Sequence, residues 1–159
     1  MAKKIFVPEK GDVFAIKLDS TQYAFGQVVH PALVGLNIIF DIKSDHNPQM
    51  NEITNLPILF IAETSYVLIE KKQWVIIGNA ELPEGLKYPE YISNSRKDGV
   101  LVPMVYGFDH GLIRTASDRD IQALQNHKSY TPNVIDDAVK ARFGYLPWKE
   151  YYENLYYKY

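Results

Sequence analysis

The sequence predicts an α+β domain, built on a strongly bent antiparallel sheet of SH3-like or half-barrel form with C-terminal helices packed against it. Two observations lead to this fold. Residues 1–78 have the pattern of strands separated by short polar turns, with alternating apolar and polar positions in the first strands and nearly continuous apolar runs further on. A helical pattern with matching end residues follows Thr131. We therefore expect a single domain over 1–159, with a β-rich core at 1–78 and a loop-rich, helical extension at 79–159.

The first two strands are predicted to pair as a hairpin. Phe14 and Ile16 fall on one face of the first strand, and Tyr23 and Phe25 fall on one face of the second. Gly26 interrupts the second strand, and a glycine at such a position marks a bulge, a sharp bend or the close approach of another group. This predicts a curled sheet rather than a flat one.

Four more strands are expected in the first half of the chain. Residues 36–42 alternate apolar and polar positions, and 44–48 have the composition of a loop. Residues 58–62 and 66–69 are nearly continuous apolar runs, and a polar turn leads into 74–78. Together with the hairpin, these segments predict a sheet of five or six strands.

The pattern changes after residue 78. Residues 79–99 contain two prolines and two glycines among polar residues, which predicts a long structured loop. Residues 100–106 have the composition of a strand, although Pro103 restricts it to a sheet edge or a bulge. Ser117 can cap a short helix over 118–125.

The last quarter of the chain has clear helix boundaries. Pro132 is a favoured first helical residue, and Gly144 is a favoured terminating residue. Asp136 lies early and Lys140 late, which complements the helix dipole. A second short helix is expected from Pro147.

Composition excludes several classes of function. The formal net charge is −2 and charges are spread evenly, so we expect no nucleic-acid partner. The absence of cysteine excludes disulfides and suits a cytoplasmic protein. The apolar run within residues 1–9 is too short for a signal peptide or a membrane span, so no membrane partner is expected.

Motifs for catalysis and metal binding are absent from the sequence. The four histidines have no recognised metal-ligand spacing, and no phosphate loop or nucleophile elbow is present. We therefore predict no cofactor, no metal and no enzymatic activity. The best catalytic candidate is Asp109-His110, which we interpret as a turn whose polar residues face water because adjacent residues rarely face each other; Asp45-His46 is interpreted in the same way.

The C-terminal segment is rich in tyrosine. Trp148, Tyr152 and Leu155 have helical spacing, so we expect them to pack onto the sheet. The remaining tyrosines cannot all face the same core. Some of them should be exposed, and exposed aromatic residues suggest a partner.

Five segments carry a resemblance to a known family. They are residues 10–16, 23–28, 39–41, 56–60 and 74–78. In order and spacing they resemble the immunity protein 26 family of bacterial polymorphic toxin systems, over roughly residues 8–92. The resemblance implies a cytoplasmic antitoxin that binds the toxic domain of an effector protein one to one and blocks it without turnover.

The resemblance assigns no contact residues, so we predict them from composition. The segments 84–98 and 106–120 are polar, loop-rich and carry acids that could meet the basic cleft of a nuclease toxin. The predicted partner-binding residues are Tyr88, Glu90, Tyr91, Asp98, Tyr106, Asp109, His110, Asp118 and Asp120. The alternative function is an SH3-like module that binds peptides or proteins unrelated to toxins, and an enzyme ranks third.

Overall fold

The computed structural model describes residues 4–159, so the first three residues of the N-terminal segment considered above lie outside the described chain. The chain divides into two compact units. Unit 1 contains the described chain up to Gly85 together with Ser129–Tyr159, and unit 2 is Leu86–Lys128. Unit 2 is therefore an insertion within the chain of unit 1.

Strands and helices follow one another along the described residues in a mixed order. The strands are β1 (Asp12–Lys17), β2 (Tyr23–His30), β3 (Val34–Ser44), β4 (Ile58–Ser65), β5 (Trp74–Asn79), β6 (Glu90–Lys97), β7 (Val100–Gly107), β8 (Leu112–Thr115) and β9 (Ser129–Tyr130). The helices are α1 (Met50–Ile53), α2 (Val67–Glu70), α3 (Asp118–Ala123), α4 (Pro132–Arg142) and a 3₁₀ helix (Glu150–Leu155).

Unit 1 is built on an open six-stranded sheet in the order β5-β1-β2-β3-β4-β9. All neighbours are antiparallel except β4 and β9, which are parallel. Register shifts interrupt the pairing of β1 with β5, β2 with β3 and β3 with β4, and such irregularities bend a sheet. The predicted α+β class, with a bent sheet and C-terminal helices, is confirmed.

Gly26 combines two of the predicted roles. The register of β2 against β3 shifts between Ala24 and Gly26. A Cβ atom at Gly26 would lie 2.4 Å from Cζ of Phe14, so only glycine leaves room for the Phe14 ring. That ring stacks on Trp74 of β5 with centroids 5.0 Å apart.

The core of unit 1 lies between this sheet and the C-terminal helices. Ile135, Ala138 and Val139 of α4 are fully buried, as the helical spacing predicts. Tyr152 and Leu155 of the 3₁₀ helix join the same cluster. The predicted end of α4 is also confirmed, because Gly144 follows the helix with φ +85°.

The predicted strand at 66–69 is wrong. Most of the segment is α2, in which the Glu70 N–H bonds to the Tyr66 carbonyl and the Lys71 N–H bonds to the Val67 carbonyl. A continuous apolar run has no periodicity that separates a buried strand from a buried helical turn. The sixth strand of the sheet is instead the two-residue β9.

The predicted loop at 79–99 is wrong in its second half. β6 occupies Glu90–Lys97 and pairs with β7 along its whole length. Asp98 (φ 49°) and Gly99 (φ 82°) both have positive φ and connect the two strands. Two such residues form the type I′ turn of a tight hairpin, for which Asp-Gly is a favoured sequence.

The edge position predicted for the strand containing Pro103 is also wrong. β7 is the central strand of the sheet β6-β7-β8. The Pro103 carbonyl accepts a hydrogen bond of 2.9 Å from Ala116 N, so the backbone polar groups of Pro103 face the β8 side. β8 has already ended at Thr115, and the N–H that proline lacks is not needed there.

Candidate partner-binding surface in unit 2

All nine predicted partner-binding residues lie in unit 2, which is Leu86–Lys128. β6 and β7 carry Glu90, Tyr91 and Tyr106, and the turns and α3 carry most of the others. The predicted residues come from two separate segments of the sequence. The structure brings these segments together in a single three-stranded sheet with one short helix.

Arg114 of β8 connects two of the predicted residues. Its guanidinium lies 3.0 Å from Oε2 of Glu90 and 2.7 Å from Oδ1 of Asp120. The other Asp120 oxygen accepts hydrogen bonds from the Ser117 N–H and hydroxyl, while Ser117 Oγ accepts one from the Asp120 N–H. The sequence predicts the cap at Ser117, and the structure adds the reciprocal hydrogen bond accepted by Asp120 that completes a capping box. Arg114 links the same carboxylate to β8 and, through Glu90, to β6.

The pKa of Asp120 reflects this arrangement. The Arg114 hydrogen bond, followed by that of the Ser117 backbone, lowers the pKa of Asp120 to about 2. The hydrogen bonds that Arg114 donates to Glu90 and Asp120 raise the pKa of Arg114. Asp120 and Arg114 therefore stay ionised through the neutral range, and the single positive charge of Arg114 is shared between the carboxylates of Asp120 and Glu90.

The remaining acids of the surface differ in availability. Asp109 Oδ1 accepts a hydrogen bond of 3.0 Å from Gly111 N within its own turn. Asp98 and Asp118 form no ion pair with any of residues 4–159. Unit 2 contains six Lys and Arg residues against five Asp and Glu residues, so its negative charge is local rather than general.

Aromatic residues of the surface are held by neighbours. Tyr88 is 40% exposed and stacks on Phe108 with ring centroids 4.4 Å apart. Tyr106 OH and Ser95 Oγ form a short hydrogen bond. Tyr91 packs its ring against His127 at 4.8 Å. Their orientations are thus fixed before any partner binds, which lowers the entropy cost of an interface.

Asp109 and His110 occupy the turn between β7 and β8. The Gly107 N–H bonds to the Gly111 carbonyl, and His110 has φ 64°. Its ring packs against that of His127, with centroids 4.4 Å apart. This geometry supports the interpretation of the segment as a turn. Asp45 and His46 differ from the expectation, because their side chains pair at 2.8 Å, although both are largely exposed.

The C-terminal aromatic residues belong to unit 1. Tyr152 and Leu155 are buried as predicted, whereas Trp148 remains 37% exposed while stacking on Phe60 at 6.5 Å. Tyr151 is 46% and Tyr159 58% exposed, which agrees with the prediction that some tyrosines stay outside the core.

Arg114, Ser95 and Phe108 are the residues of this surface that sequence reasoning missed. Each holds a predicted residue in place through a side-chain contact. Arg114 is 24 residues from Glu90 in sequence, and no local pattern indicates such a pair. The one available indication was the Asp98-Gly99 turn, which would have predicted the β6–β7 hairpin.

The fold and surface together define a small α+β protein with an inserted sheet unit and a fixed array of aromatic and charged side chains. The chain belongs to the immunity protein 26 family: the family model described as Immunity protein 26 matches residues 9–99. The match runs from just before β1 to the turn between β6 and β7, which confirms the resemblance found in the sequence. No curated protein and no solved structure gives a significant match.

Among residues 4–159, the helices are all too short or too polar to cross a membrane.

Proposed function

We propose that this protein is an immunity protein that binds the toxic domain of a polymorphic toxin one to one and neutralises it in the cytoplasm, without turnover. The observation that carries the proposal is membership of the immunity protein 26 family over residues 9–99. An immunity protein has a toxin as its partner, and tight protein partners of standard size bury about 1,600 Å² in total.

We place the contact surface in unit 2, because this unit contains all nine residues that the sequence predicts for partner binding. Partly exposed aromatic residues such as Tyr88 provide large contact area with a polar group attached. Stacking on Phe108 holds Tyr88 in one arrangement, and the ion pairs of Arg114 do the same for Glu90 and Asp120. A surface prepared in this way supports slow dissociation, which protection from a toxin demands.

A nuclease is the toxin class that we propose. Its substrate is polyanionic, so its cleft carries excess positive charge that acidic side chains of an inhibitor can meet. Glu90 and Asp120 are already paired with Arg114 in the free protein, so we expect the contribution to come chiefly from Asp98 and Asp118.

The experiment that tests neutralisation uses the C-terminal domain encoded beside this protein. Increasing amounts of the full chain are added to a fixed amount of that domain, and its residual nuclease activity is followed. We expect activity to fall linearly and to reach its end point at one equivalent. Inhibition complete at a small fraction of one equivalent would indicate an enzyme, and absence of binding in calorimetry would refute the proposal.

A second experiment tests the charge argument. We expect the double variant Asp98→Asn, Asp118→Asn to slow association with the toxic domain and to weaken its dependence on salt. Glu52→Gln, at an exposed acid on α1 of unit 1, is the matched control and should leave both quantities unchanged. If the double variant and Glu52→Gln change the association rate equally, Asp98 and Asp118 have no specific role.

A further inference from the structure

Unit 2 has very little apolar core of its own. Within residues 86–128, which the structure describes completely, Val105 is the one buried apolar residue. No residue of α3 is buried, although Ile121 and Leu124 are three positions apart on that segment. Because a unit this small buries only part of its surface, several of its apolar side chains remain partly exposed to solvent.

These side chains line a pocket. Ile92 of β6, Pro103 of β7, Ile121 of α3 and Leu124, which follows the helix, surround a space of about 370 Å³. Ser93, Asn94 and Asn126 also line it. No lining residue carries a charge, so an apolar group can enter without leaving an ion desolvated and unpaired.

The segment from α3 to Asn126 forms one wall of the pocket, and hydrogen bonds hold both of its ends to the sheet β6-β7-β8. At the start of α3, Asp120 is held by Ser117 and by Arg114. Beyond its end, Ile92 N donates a hydrogen bond of 3.0 Å to the Gln125 carbonyl, and Ile92 forms a bridge with Asn126. The pocket is therefore formed in the free protein and needs no rearrangement to accept a group.

We propose that this pocket receives a tyrosine or tryptophan side chain from the toxic domain and is the central anchor of the interface. This inference rests on the proposed function. An aromatic ring matches the apolar lining, and a phenol or indole donor can bond to the Asn94 or Asn126 amide oxygen. Residues of this kind, seated in prepared pockets, contribute most of the binding energy of tight complexes.

A toxin side chain explains the surroundings better than a second copy of this chain. A symmetric dimer needs the same patch to supply both a pocket and a protruding aromatic group. The large exposed apolar residues of unit 2 are mainly aliphatic, and its exposed aromatic residue, Tyr88, is stacked on Phe108. The patch therefore offers a cavity without a matching aromatic group.

Calorimetric titration with the C-terminal domain encoded beside this protein tests the inference. Ile121→Arg puts a long charged side chain into the pocket, and we expect at least about 30-fold weaker binding than for the wild type. Leu33→Arg is the matched control, since Leu33 is an exposed aliphatic residue of unit 1, outside the proposed contact surface, and does not line the pocket. It should stay within about threefold of the wild type.

Each result distinguishes the pocket from the proposed function. If the wild type binds the toxic domain and Ile121→Arg binds equally well, the pocket is not the anchor, but the proposed function stands. If the wild type does not bind, both the anchor and the proposed function are refuted. Circular dichroism checks that the variants are folded. If Ile121→Arg is unfolded, Asn94→Arg at an exposed lining position decides, with an expected loss of at least about tenfold. A wild-type dimer that Ile121→Arg dissociates would overturn the assignment in favour of self-association.

Discussion

The indole N–H of Trp74 donates a hydrogen bond of 2.8 Å to Oδ1 of Asp136, and this contact joins the edge strand β5 to α4. Trp74 is 1% exposed, so its N–H has no access to bulk water. Lys140 Nζ lies 2.6 Å from the other oxygen of the same carboxylate. Asp136 therefore links β5 to α4 as a hydrogen-bond acceptor, in addition to the favourable interaction with the helix dipole that the sequence predicts.

Replacing Asp136 by alanine should lower the free energy of unfolding by about 1–3 kcal/mol, because it leaves a buried donor without a partner. Urea unfolding followed by tryptophan fluorescence measures the change. Asp137→Ala is the control in the same helix, and we expect a smaller effect there. Equal losses for the two variants would show that helix-dipole effects, rather than the Trp74 contact, account for the stability.

Gly26→Ala should lower the free energy of unfolding by about 1–3 kcal/mol, since the new methyl group would overlap the Phe14 ring. Phe14→Leu removes the ring, so the same glycine substitution should cost less in that background. A double-mutant cycle by urea unfolding gives the coupling directly. Additive effects of the two substitutions would contradict the proposed overlap.

The Asp120 carboxyl should titrate near pH 2, below its ordinary pKa of 3.8. A lowered pKa means that this group stabilises the folded protein above about pH 4 and that the contribution is lost as the pH falls through 2. Carbon-detected NMR of the side-chain carboxyl measures the titration.

Arg114→Met should raise that pKa toward 3.8, because the guanidinium contact is its first cause. Arg114→Lys keeps the positive charge and should have a smaller effect. Hydrogen exchange of residues 118–123 should speed up in Arg114→Met, since α3 loses its link to β8. An unchanged pKa in Arg114→Met would mean that Ser117 alone fixes the carboxylate.

Tyr145→Phe should raise the pKa of Asp19 by only part of its displacement from 3.8. Asp19 titrates near pH 2, with the Thr21 backbone hydrogen bond as the first cause and the Tyr145 hydroxyl as the second. NMR titration of the wild type and the variant compares the two values. A return to the ordinary pKa in Tyr145→Phe would show that the backbone of the turn contributes little.

The sequence predicts most strands of the unit 1 sheet because short apolar or alternating segments are separated by polar turns. The alternation does not persist in the structure, where the central residues of β2 and β4 are buried on both faces. The prediction fails at 66–69, where every position is apolar and a helical turn buries the same residues as a strand. It also misses β6, because the prolines and glycines of residues 79–99 are typical of a loop. The Asp98-Gly99 turn that connects β6 to β7 is the signal that would have predicted the hairpin.

The predicted contact residues show a second reason why the sequence alone is insufficient, which is that side-chain pairing depends on the tertiary fold. Composition predicts Glu90 and Asp120 as contact residues, but their pairing with Arg114 depends on tertiary contacts across the sheet. The pocket beside α3 is equally invisible in the sequence, because Pro103 and Ile121 come together only once β7 and the helix are folded.

Unit 2 is inserted within the chain of unit 1, and apart from Val105 every buried apolar residue of the described chain lies outside it. The residues that we propose for recognition can therefore change with little effect on the main core. On the contact surface that we propose, replacing residues 86–128 by those of a relative should transfer binding to the toxin of that relative. Sequence changes confined to unit 2 would then alter the partner while the core of unit 1 stays the same.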